Sequence, residues 1–82
     1  MTAAPHSIKR ALQIMGNWLN LPEDEYKAAV YRFAQMIPPE EVLAAAEIAQ
    51  AKIPGGGIDA FRYFCGVCHS KNKERRIRLS WN

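Results

Sequence analysis

Gly57-Ile58-Asp59-Ala60-Phe61-Arg62-Tyr63-Phe64-Cys65-Gly66-Val67-Cys68-His69 is the stretch whose reading decides the fold. Ile58, Phe61, Cys65 and Cys68, with Asn72 one turn further on, recur at steps of three and four, and Phe64 flanks them. That spacing lays side chains along one stripe of a helix with about 3.6 residues per turn, whereas a half-buried strand would alternate. A helix beginning near Ile58 follows. The stretch before it, Pro54-Gly55-Gly56-Gly57, reads as a flexible hinge or turn.

Working back from this helix, three more emerge. After an arm at residues 1–5, Ser7 is an N-cap candidate for a helix running to about Leu19. Ile8, Leu12, Met15 and Leu19 share its apolar face, with Ala11, Ile14 and Trp18 beside them. Pro22 followed by Glu23, Asp24 and Glu25 opens a second helix, because proline suits a first turn and acids suit the positive helix end. It runs to about Met36 and buries Tyr26, Ala29, Val30, Phe33 and Ile37. Ile37 and Pro38 each precede a proline, which pushes them out of the helical region. Glu40 and Glu41 then start a third helix to about Lys52, with Val42, Leu43, Ala46, Ala49, Gln50 and Ile53 on a mixed face. Strand patterns are nearly absent. The sequence therefore predicts an all-α fold, a compact bundle of about four short helices forming one domain over 1–82.

Eighty-two residues of which 49% are hydrophobic supply enough apolar surface for one small core. No apolar run is long enough to span a membrane. The start Met1-Thr2-Ala3 and the interruption of the first apolar stretch by Lys9 and Arg10 lead to the expectation of a cytoplasmic protein with no leader peptide. The net charge of +3 is unevenly spread. Residues 1–61 carry five basic side chains against seven acidic ones, a net −2, whereas 62–82 carry six basic against one acidic, a net +5. Such asymmetry points to a polyanionic partner at the C-terminal end. Basic side chains there also complement the helix dipole without any partner.

Cys65-Gly66-Val67-Cys68-His69 has the C-x-x-C-H spacing used to attach c-type haem. With Gly57 and Phe61 it resembles the opening of class I cytochromes c, which implies two thioether bonds and a proximal histidine. Only 13 residues follow His69, and none is Met or His. The long wrap and distal methionine of that family are therefore missing. Placed near the C-terminus, the motif is more similar to that of cytochromes c′, bundles of four long helices, and no apolar pattern here is that long. The expectation is reduced, buried cysteines acting as small apolar side chains, with no metal and no cofactor. Zinc would need four donors, and Cys65, Cys68, His69 and His6 are the only soft ones. The acids at the helix starts are explained by the dipole, and no nucleophile–base set or phosphate-cradling loop appears, so no catalytic residue is assigned.

The remaining signal is the basic end. Arg62, Lys71, Lys73, Arg75, Arg76 and Arg78 can neutralise phosphates, and Trp81 can stack on an unpaired base. Phe61-Arg62-Tyr63-Phe64-Cys65-Gly66-Val67-Cys68 resembles the closing helix of helical domains in phage and mobile-element replication proteins, although His69 stands where that pattern has an aromatic. The resemblance implies a DNA-associated role and transfers no catalytic residue. These readings converge on a non-enzymatic accessory protein that binds nucleic acid or a nucleoprotein complex. A small protein-binding inhibitor or adaptor, of the kind phages use against host defences, would instead use the acidic and aromatic face of the second and third helices. A small haem c protein is the third reading.

Overall fold

Each chain break predicted by proline and glycine becomes a corner between helices. The computed structural model describes residues 4–80, with side chains from 6 to 77. It contains α1 (Ala4–Trp18), α2 (Glu23–Ala34), α3 (Pro39–Lys52) and α4 (Gly57–Ser80), and no strand among the described residues. The fold is an all-α bundle of four helices. No described helix is long and apolar enough to cross a membrane.

Helix α1 starts earlier than the serine cap implies. Pro5 lies in its first turn, where a fixed φ is favourable, and Ser7 is already helical and buried. Asn20 then turns the chain through a left-handed conformation (φ 59°), which asparagine tolerates better than most residues. Pro22 and Pro38 both sit extended before a helix, at φ −57°, and the acids Glu23, Asp24, Glu25 and Glu40, Glu41 fill the first turns. After α2, the N–H groups of Met36 and Ile37 both donate to the Phe33 carbonyl at 2.9 Å, closing the last turn before Pro38.

The core lies between α1, α3 and α4. Helix α1 packs most extensively on α3, and α3 on α4. Ala11, Ala45, Ala46 and Ala49 have no exposed surface, so the backbones of α1 and α3 approach closely. Met15, Leu19, Val30, Val42, Phe64 and Cys68 fill the centre. Tyr26, Val30, Phe33 and Ile37 of the predicted α2 stripe are buried and Ala29 is half-buried. On α1 the stripe is turned toward Ala11 and Trp18, leaving Leu12 and Ile14 at its edges.

The glycine run is a seated turn and not a loose hinge. The Trp18 indole N–H donates to the Ile53 carbonyl at 2.8 Å, and the Gly57 N–H donates to the Leu19 carbonyl at 2.9 Å. Gly56 adopts φ +74°, and a Cβ there would lie 2.1 Å from the Trp18 carbonyl oxygen. Only glycine permits that approach. The turn therefore fixes the start of α4 against the end of α1.

Helix α4 differs from its sequence reading in two respects. Its buried stripe is Ala60, Phe64 and Cys68, while Ile58 is exposed and Phe61 and Cys65 are half-buried. The helix is rotated by roughly 60–80° from the predicted stripe. Aromatic packing accounts for this: Phe64 meets Phe33 edge-on at 5.9 Å and lies stacked with Phe61 at 6.4 Å. The helix is also long, 24 residues. Its second half is sustained by the helix-forming Lys, Glu and Arg of 71–78, which carry no apolar periodicity to reveal it.

Candidate nucleic-acid interface

Successive residues of a helix turn by about 100° and rise by about 1.5 Å. Counted from the buried Phe64, Lys71 and Arg75 return to within about 20° of the core direction. Arg62, His69, Lys73 and Arg76 fall on a flank about 120–180° away. The predicted basic residues therefore divide between two sides of α4 and do not form one patch.

The inner pair lies among acids. Lys71 Nζ lies 2.7 Å from Glu41 Oε1 at the start of α3, and Arg75 shares the same hollow with Glu41 and Glu74. This mixed cluster ties α4 to α3. The pair is partly exposed and contributes at most about 1 kcal/mol.

The outer flank is exposed at Arg62, His69, Lys73 and Arg76 and extends about 21 Å from Arg62 to Arg76. Of the two acids of α4, Glu74 falls outside its arc, and Asp59 lies at the azimuth of Ile77, one turn before Arg62. Helix α2 contributes to the same side: the exposed Arg32 lies near enough to Cys65 for its charge to act on that thiol. His69 stands edge-on against Phe33, with ring centroids 5.0 Å apart, so a buried core aromatic positions an exposed imidazole. Asn72 directs its amide N–H toward Met36 Sδ at 3.9 Å, a weak contact that turns it toward α2. His69, Asn72, Lys73, Arg76 and Ile77 line a shallow hollow of about 500 Å³ on this flank. The side chain of Arg78 and all of Trp81 lie outside the described residues.

The thiols lie next to this flank. Cys68 is fully buried in the core, and burial, reinforced by neighbouring Cys65, pushes its pKa up to about 12 against the pull of Lys71. Cys65 is half-buried, and burial raises its pKa also, against the charge of Arg32. Two thioether sulfurs and a proximal histidine must face one porphyrin. Here Cys68 faces the interior and His69 faces solvent, so the residues do not fit covalent haem. Among the described residues no three His, Cys, Asp or Glu side chains gather as a metal site.

No protein family, curated protein or solved structure matches this chain.

A second surface lies between α3 and α4, where Ile48 is 40% and Tyr63 38% exposed around a groove floored by Gly66 and Val67. The sequence reading places a protein-binding face on α2 and α3 instead. There, Tyr31 of α2 is indeed exposed, but on α3 the large exposed apolar side chain is Ile48, beside α4. Arg32 and the backing of His69 by Phe33 are the parts of the candidate site that sequence reasoning missed. Both depend on which side of α2 meets α4, and no local spacing carries that information.

Proposed function

We propose that this chain is a non-enzymatic accessory protein that binds nucleic acid, alone or within a nucleoprotein complex, through the outer flank of α4. The observation that carries this reading is the basic flank itself: Arg62, Lys73 and Arg76 line one side of an exposed helix, with Arg32 of α2 nearby and Asp59 the one α4 acid beside them. Each such side chain that neutralises a phosphate releases counterions, and the resulting binding weakens with salt. Lys71 holds the helix against Glu41, Arg75 lies in the same acid-lined hollow, and both contribute less.

The test is fluorescence anisotropy with labelled single- and double-stranded oligonucleotides at several salt concentrations. Affinity should fall linearly with salt on logarithmic axes, by roughly 0.7–0.9 per neutralised phosphate. Changing Arg62, Lys73 and Arg76 together to Ala should flatten the slope by about two to three, whereas changing Lys71 and Arg75 should alter it by less than about one. No binding to any nucleic acid at low salt would overturn the reading. The groove at Ile48 and Tyr63 favours a second reading, a protein-binding adaptor, which would be promoted by that result together with salt-insensitive capture of a protein partner lost on Tyr63→Ala.

A further inference from the structure

We infer that the hollow at His69 holds an unpaired nucleobase, so that the nucleic acid bound by the flank is single-stranded. This rests on the phosphate-binding reading above. The cations of the flank explain attraction to a backbone but leave two features unused. The first is His69, an exposed aromatic ring in the middle of the basic row, set nearly perpendicular to the Phe33 ring at a centroid separation of 5.0 Å. The second is Ile77, whose large apolar side chain is 48% exposed on the same hollow.

Together they form a surface that is aromatic at one end and aliphatic at the other, about 12 Å apart along α4, with Asn72, Lys73 and Arg76 between them. An unpaired base offers a π-face to the imidazole, its flanking phosphates lie within reach of the two cations, and Ile77, about 12 Å further along the helix, offers apolar surface to a following base. Aromatic and guanidinium planes recognise splayed bases in this way, and every base supplies such a face. A paired base keeps its faces inside the duplex stack, where a helix-borne imidazole does not reach them. Asn72 lies where it can meet the edge of the stacked base, but its contact with Met36 competes, so base preference is weak.

The experiment compares affinities of the full chain for oligo(dT), oligo(U), a duplex of equal length and an abasic single strand with the same number of phosphates. Wild type should bind oligo(dT) or oligo(U) about 5- to 150-fold more tightly than the abasic strand, the span of one base–aromatic stack. His69→Ala should close that gap, and His69→Phe should keep it. Circular dichroism establishes that both variants fold, as expected when an exposed side chain is replaced. Equal affinity of wild type for abasic and base-bearing strands would overturn the stacking site while leaving the phosphate reading intact. Tighter binding to duplex than to single strands would do the same. Absence of binding to all four would overturn both. Preference between oligo(dT) and oligo(U) identifies DNA or RNA as the source of the base.

Discussion

Replacing Gly56 by Ala tests how α4 is anchored, and its cost can be worked from the turn. Gly56 has φ +74°, and an L-residue there costs about 1–2 kcal/mol. The added Cβ would also lie 2.1 Å from the Trp18 carbonyl oxygen, and 3.3 Å from the Leu19 Cα. Both neighbours are backbone, so no flexible side chain can yield, and the turn must lift away from α1. Lifting it breaks the Gly57 N–H bond to Leu19 and the Trp18 indole bond to Ile53. Each such bond contributes about 0.5–1.5 kcal/mol net. The expected loss is therefore about 2–5 kcal/mol. A chain of this size has a total stability of about 4–12 kcal/mol, so the variant stands near its unfolding limit. Urea denaturation followed by circular dichroism at 222 nm reads the loss directly. Two other glycines provide the contrast. At Gly55 and Gly66 an added methyl group would meet nothing within 4 Å. Gly55→Ala should be near neutral or slightly stabilising. Gly66→Ala, in the middle of α4, should stabilise by about 0.8–1.0 kcal/mol through helix propensity. If Gly56→Ala is as stable as Gly55→Ala, the turn is not seated on Trp18 and the reasoning is refuted.

Phe64→Ala should cost about 3–5 kcal/mol, because Phe64 is fully buried and joins Phe33 to Phe61, whereas half-buried Phe61→Ala should cost clearly less; equal losses in denaturation would contradict the rotation of α4. Cys68 carries a pH signature: its folded pKa is raised from 9.0 to about 12, so the native state keeps a proton that the unfolded state releases. Its stabilising contribution is complete below pH 9 and declines as pH rises from 9 toward 12, and the pH dependence of stability in wild type minus Cys68→Ala should show that decline; a flat difference would count against burial of the thiol. In native protein a thiol reagent should modify Cys65 before Cys68, with both reacting at once in urea; prior reaction at Cys68 would place it outside the core.

The number of helices and their corners were legible locally. Pro22, Pro38, Pro39 and the glycine run interrupt the chain wherever helices end, and the acids after each break mark helix starts, because these are effects of backbone stereochemistry and the helix dipole over a single turn. The α2 stripe was legible too, since Tyr26, Val30, Phe33 and Ile37 admit one amphipathic reading. Helix α4 was less so. Its apolar residues Ile58, Phe61, Phe64, Cys65, Val67 and Cys68 cover about half of its circumference, so several stripes satisfy the pattern. Packing against Phe33 selected the one centred on Phe64. That rotation in turn divided the basic residues, drawing Lys71 toward Glu41 and leaving Arg62, His69, Lys73 and Arg76 on the open flank. The sequence by itself determined that this is a helical protein with a basic C-terminal end. Which basic residues share one flank of α4, and that Arg32 and His69 lie beside them, follows from packing, because the angle at which one helix meets another is set by side chains far apart in the chain.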